Sequence, residues 1–196
     1  MNALPRSPLP RFVLLTLAWL PLTFVVWYFA APILLYPALA LAEVVLRVGF
    51  GDLVRAVGAE GGHAVVLTSL RPGQAQAGGT ISVDVNMLLY AFGMPMYAAL
   101  VLAAHEPRWP RILLLGLAAM LPFVAWGVVA DFLKNVAITA GPAVASQTAF
   151  VPAQREMIAF AFQFGSLILP TVVPAALWVL THRRFLERLR GGRLEM

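Results

Sequence analysis

Ile112-Leu-Leu-Leu-Gly-Leu-Ala-Ala-Met-Leu-Pro-Phe-Val-Ala-Trp-Gly-Val-Val-Ala-Asp-Phe132 is the stretch whose reading decides the fold. It carries no charge from Ile112 to Ala130, so a helix built from it has no polar face to turn toward water. About 20 apolar residues in α-helical conformation cross the hydrocarbon core of a bilayer, whereas runs of about 10–14 fit a soluble core. The stretch therefore predicts a membrane-spanning helix over 112–132, with Pro122 inside it and Asp131 and Lys134 at its far end.

The rest of the chain agrees. Of 196 residues, 61% are hydrophobic and only 12% are Asp, Glu, Lys or Arg. A soluble domain is about 45–50% apolar and about 25% charged, so this chain has too few charges to cover a water-exposed surface. Further spans are predicted over 12–29, 87–104 and 157–180. The first follows Arg6 and Arg11, as a signal peptide would, but its apolar run is far longer than the roughly 7–15 residues of a signal core. An uncleaved anchor is expected, with Trp27 and Tyr28 as interfacial aromatics. The predicted fold is a membrane all-α helical bundle of about four transmembrane helices, forming one domain over 1–196.

Two polar regions interrupt it. Residues 31–48 contain Pro32 and Pro37, then Glu43 and Arg47 at the spacing of a helical ion pair; they predict a helix at the far membrane interface, with a tilted continuation of the first span as the alternative. In Thr80-Ile-Ser-Val-Asp-Val-Asn86, polar and β-branched apolar residues alternate strictly, the mark of a half-buried strand. Ala64-Val-Val-Leu-Thr68 is a second strand candidate, and the Pro- and Gly-rich residues 71–79 are a loop. Residues 49–86 are thus expected to form an outward-facing β-hairpin insertion. A second polar loop over 135–156 precedes the last span.

Charge sets the orientation. Arg6, Arg11, Arg108, Arg111, Arg183, Arg184, Arg188, Arg190 and Arg193 fall on one side, against Glu106, Glu187 and Glu195. The other side carries Arg47, Arg55, Arg71, Lys134 and Arg155 against six acidic residues. Lys and Arg collect on the cytoplasmic side of membrane proteins, so both termini are expected in the cytoplasm and the hairpin outside. The basic tail suits lipid headgroups rather than nucleic acid.

Catalytic motifs are missing: no HExxH, GxSxG, GxxxxGK[ST] or GxGxxG occurs. Without cysteine there is no disulfide, thiolate nucleophile or Cys-ligated metal. No catalytic residue, metal ligand or cofactor is assigned. A Ser/His/Asp site would need His63 to reach Ser69 or Ser82 beside Asp84. Asp131 and Lys134 are read as a structural ion pair, like Glu43 and Arg47. Gln163, Gly165 and Ser166 mark helix contact in the last span, and Pro170 and Pro174 should kink it. In the stretch 85–97, Asn86 is placed to cap a helix, Gly93 and Pro95 loosen it, and Tyr90, Phe92 and Tyr97 supply aromatic surface. These six are the candidate contact for a partner membrane protein.

Three features carry a family resemblance: Leu20-Pro-Leu-Thr-Phe-Val-Val-Trp-Tyr28 with Ala31-Pro-Ile-Leu-Leu-Tyr-Pro37; Val83-Asp-Val-Asn86; and Leu89-Tyr-Ala-Phe-Gly-Met-Pro-Met-Tyr-Ala-Ala-Leu100. The chain resembles, over about its first half, the exosortase H-associated membrane proteins. The resemblance implies a non-enzymatic accessory protein in the bacterial inner membrane. Its partner would be an exosortase-type transpeptidase that processes tagged exported proteins. Exosortases themselves use Cys, Arg and His, and this chain has no cysteine. The alternative from the residues alone is a small homo-oligomeric transporter or channel subunit, which requires polar groups converging at mid-membrane.

Overall fold

A computed structural model describes residues 8–72, 79–183 and 185–187. Arg6, Arg184, Arg188, Arg190, Arg193, Glu195 and most of the 71–79 loop lie outside the described residues. The chain divides into two compact units. One holds residues up to Ala30, Phe92–Met120 and the residues from Thr171 onward; the other holds Ala31–Ala91 and Leu121–Pro170.

Three helical stretches are long and apolar enough to cross a membrane: Leu9–Leu34, Trp109–Thr139 and Pro152–Thr181. The first belongs to α1 (Pro8–Leu34) and the second begins with α5 (Trp109–Lys134). The third is built from α7 (Pro152–Gln163), a π-helical turn (Phe164–Ile168) and α8 (Leu169–Thr181). Three of the about four expected spans fall on these stretches; the one expected over 87–104 falls on the apolar helix Leu88–Ala103, which is shorter. It consists of α3 (Leu88–Ala91) and α4 (Gly93–Ala103), broken at Phe92. Glycine weakens a helix start, and Pro95 has no N–H to donate within α4. At about 1.5 Å per residue, this helix falls several ångströms short of a ~30 Å hydrocarbon core.

The π-turn Phe164–Ile168 precedes Pro170, whose missing N–H would disrupt a regular α ladder. Ser166 bonds back to the Phe162 carbonyl at 2.8 Å. A second π-turn, Asn135–Thr139, prolongs α5.

In the second unit, α2 (Tyr36–Phe50) follows α1 after the single residue Leu35. Helical bonds continue through the junction, Leu35 N to Ala31 O at 2.9 Å and Leu39 N to Leu35 O at 3.0 Å. The stripe Ala38, Leu39, Ala42 and Leu46 is buried. Leu41, Val44, Val45 and Val48 on the other side are exposed.

The expected two-stranded hairpin is a three-stranded antiparallel sheet of order β1-β2-β3: β1 Val54–Glu60, β2 His63–Thr68 and β3 Ser82–Asn86. The β2–β3 register runs from His63 opposite Asn86 to Leu67 opposite Ser82. Val83 and Val85 are buried with Ala64, Val66 and Thr68, while Ser82, Asp84 and Asn86 are exposed. The buried Thr68 hydroxyl donates to the Ile81 carbonyl at 2.8 Å, so it costs no unmet polar group. β1 escapes the sequence pattern because Gly58 and its alanines carry little β-propensity. Gly61 (φ +56) and Gly62 (φ +94) join β1 to β2, in a two-residue turn that side-chain-bearing residues enter only with strain. Arg55 is the extra residue of a bulge, since Val54 faces Thr68 and Ala56 faces Leu67.

The second polar loop folds too. Gly141 (φ +88) leads into α6 (Pro142–Ala145) and a 3-10 turn (Ser146–Thr148).

Candidate functional site

The exposed polar face of the sheet places His63 Nδ1 2.6 Å from Asp84 Oδ1, a diagonal pair across β2 and β3. Neither candidate serine joins them. Ser82 stands opposite Leu67, four residues along from Asn86, which puts it about 13 Å from the His63 position at strand rise. Ser69 lies beyond the end of β2, and its hydroxyl donates to the Asp52 carbonyl. The arrangement is a surface His–Asp pair that neither Ser69 nor Ser82 joins. Among the described residues no group of three or more His, Cys, Asp or Glu could hold a metal ion.

The sheet is tied to the second polar loop. Gln147 accepts from the Arg71 amide at 3.1 Å and donates to the Arg71 carbonyl at 3.0 Å, as a neighbouring strand would. Phe50 and Phe150 meet edge to face, centroids 6.2 Å apart. The loops before and after these residues therefore belong to one layer, which no local pattern around Gln147 signals.

The segment 86–97 serves mainly the interior. Asn86 Oδ1 accepts the Leu88 amide at 3.0 Å and caps the helix start, its side chain otherwise exposed. Tyr90, Gly93, Pro95 and Tyr97 are buried and Phe92 is half-buried. In the second unit, the Tyr90 ring fills the space above Gly127, where a Cβ would come within 2.2 Å of it. In the first unit, Tyr97 sits equally close above Gly116, and its hydroxyl donates to the Ile112 carbonyl at 3.0 Å. Both tyrosines are knobs in glycine notches. Small residues in apolar helices mark such close approaches, and the two glycines in 112–132 were the available signal.

Below Tyr90 lies a charged cluster at the end of α5. Asp131 is 9% exposed; it takes Lys134 Nζ at 2.8 Å and Asn135 Nδ2 at 3.0 Å on the same carboxylate oxygen. Lys134 also stands 4.0 Å over the Phe162 ring. The buried Tyr90 hydroxyl faces the Asp131 carboxylate without closing a full hydrogen bond to it. Gly165 packs on Trp126 and Gly127, with a notional Cβ 3.0 Å from the indole, and Trp126 Nε1 donates to the Ala161 carbonyl at 3.1 Å. These contacts couple α5 to the broken helix that follows. Removing one partner of a buried ion pair strands the other charge, so the cluster acts as a unit. On α2, Arg47 Nε donates to Glu43 Oε1 at 2.8 Å on an exposed surface, where such a pair contributes little.

In the first unit, His182 is 2% exposed and stacks on Trp178 with centroids 5.2 Å apart; Trp178 in turn stacks on Phe12. Burial pushes the His182 imidazole below its ordinary range, against the opposing pull of the Trp178 carbonyl and the Glu106 carboxylate.

A family model described as exosortase H-associated membrane protein matches residues 6–185. The match extends well past the first half of the chain, to which the quoted motifs had confined the resemblance. No curated protein and no solved structure matches the chain.

Proposed function

The chain belongs to the exosortase H-associated membrane protein family, and on that premise we propose that it is a non-enzymatic accessory subunit of an inner-membrane protein-sorting system. Its extracytoplasmic layer of sheet and clasped second loop contacts the transpeptidase or its tagged substrates. The observation that carries this reading is the family match over residues 6–185. The hydrolytic constellation the sequence allowed is incomplete: His63 and Asp84 pair, and neither Ser69 nor Ser82 joins them. Within the stretch 86–97, Asn86 and Phe92 keep side-chain surface for a partner. Tyr90, Gly93, Pro95 and Tyr97 hold the helix in position from inside.

The test is co-purification of the tagged full chain with an exosortase-type transpeptidase from the same cells, together with processing of a tagged substrate. Capture of the transpeptidase and unchanged processing by His63→Ala are the expected results. Loss of processing in His63→Ala, with no membrane partner captured, would overturn the reading.

The transporter alternative gains nothing from the charged cluster. Asp131, Lys134 and Asn135 sit at the far end of α5 rather than at its middle, and they are closed on one another.

A further inference from the structure

Where α7 begins, the second unit holds an open groove of about 400 Å³ between the π-turn Asn135–Thr139, α6 and α7. Ala137, Ile138, Ala145 and Ala159 make its apolar walls, and Arg155 and Glu156 are its two charged groups. The volume falls in the range of small-molecule sites, about 300–1,000 Å³.

Arg155 is poorly satisfied there. Nη2 donates to the Ala145 carbonyl at 3.3 Å, but Nε is shut off from solvent without a hydrogen-bond partner. Among the described residues no carboxylate lies within ion-pair distance of Arg155, and Glu156 is exposed without a cation. A guanidinium offers five donors; with Nε enclosed and one Nη2 donor spent on Ala145, the remaining Nη donors are left for an acceptor such as a phosphate in the groove that Arg155 lines. Beside it stands a carboxylate that lacks a donor.

The surroundings identify the rest of the ligand. Arg155 and Glu156 open Pro152–Thr181, a helix apolar and long enough to cross a membrane. Exposed Ile138, Met157 and Phe160 flank the charged pair. A ligand here meets apolar walls and two opposite charges at the start of a helix long and apolar enough to cross a membrane. We propose that the groove binds one phospholipid with a phosphoethanolamine headgroup. Its phosphate lies on the Arg155 fork, its primary ammonium on Glu156, and its first acyl carbons lie along Ala137, Ile138 and Ala159.

The experiment uses the full chain, purified in detergent and stripped of lipid. It is titrated with phosphatidylethanolamine, phosphatidylglycerol and phosphatidylcholine, and bound lipid is counted by native mass spectrometry. The wild type should prefer the ethanolamine lipid over both others. Arg155→Gln should weaken it by about tenfold or more, the scale of one charge-assisted hydrogen bond. Glu156→Gln should erase the preference for ethanolamine over glycerol while keeping binding. Melting temperatures are read alongside; if Arg155→Gln does not fold, Arg155→Lys, which keeps the charge without the fork, should still bind the ethanolamine lipid but more weakly than the wild type. Equal binding of all three lipids by the wild type overturns the proposal, as does undiminished binding by Arg155→Gln. Free phosphoethanolamine that competes as strongly as the lipid, or an acidic peptide that binds through Arg155 where the lipid does not, overturns it too.

Discussion

At Gly127 a methyl group would collide with the Tyr90 ring, at 2.2 Å from Cδ1 and 2.9 Å from Cβ, so the ring cannot swing clear by rotating its far end alone. Gly127→Ala should therefore destabilise the protein by about 1–3 kcal/mol through overpacking. Tyr90→Ala removes the obstacle while opening a cavity. The double variant should cost clearly less than the sum of the two singles in detergent unfolding; additive costs would mean that the notch is not tight. His182 makes a second residue-scale prediction. Its imidazole is harder to protonate when folded than when unfolded, since burial disfavours the cation. The unfolded chain thus binds the proton first as pH falls below a histidine's usual 6.5. Its contribution is intact above that value and is lost on acidification through the lower folded value. His182→Phe, which can keep the stack on Trp178, should flatten the fall in melting temperature between pH 7.5 and 5. An unchanged slope would show that other groups carry the acid sensitivity.

Among the elements, the second polar loop depends on one side chain. Gln147 supplies the Arg71 backbone with both of the hydrogen bonds a strand would. Gln147→Ala leaves that amide and carbonyl to solvent, a loss of about 0.5–1.5 kcal/mol per bond. Hydrogen exchange at the Arg71 amide should accelerate about tenfold, while the β2–β3 amides from His63 to Leu67 hold their protection. Equal acceleration across the sheet would mean that the clasp supports the whole layer. The elements also differ in how far their residues announce them. β3 was readable from Ile81, Val83 and Val85 alternating with polar neighbours, because one face of that strand is buried. β1 was not, because Val54-Arg-Ala-Val-Gly-Ala-Glu60 becomes a strand by pairing with β2 across Gly61 and Gly62. The helix 88–103 was read as a full span from its hydrophobicity, which is indifferent to the break at Phe92.

For the molecule, the number of crossings decides the side on which each end lies. Three long helices alone would put the ends on opposite sides, and a fourth crossing by Leu88–Ala103 returns them to one side. The arginine count favours one side, which requires the bilayer to thin around the short helix or its flanks to reach across. The chain has no native cysteine, so single introduced thiols report cleanly. Leu9→Cys and Arg183→Cys should react with an impermeant thiol reagent only from the cytoplasmic side, and Glu60→Cys only from the outside. Reaction of the first two from opposite sides would establish an odd number of crossings.

The sequence by itself determined that this is a membrane protein with apolar helices around 12–29, 112–132 and 157–180, and that a half-buried strand lies within residues 80–86. Those properties follow from the composition and period of contiguous residues, which set how a segment meets lipid or water. It also exposed the motifs that led to the family. Tertiary structure alone decided that β1 completes a sheet, that Tyr90 and Tyr97 are knobs over Gly127 and Gly116, that Gln147 clasps Arg71, and that Arg155 faces a groove. Each of those depends on backbone or side-chain groups meeting across a turn or between separate elements. Hydrophobic periodicity, a property of neighbours along the chain, does not register such encounters.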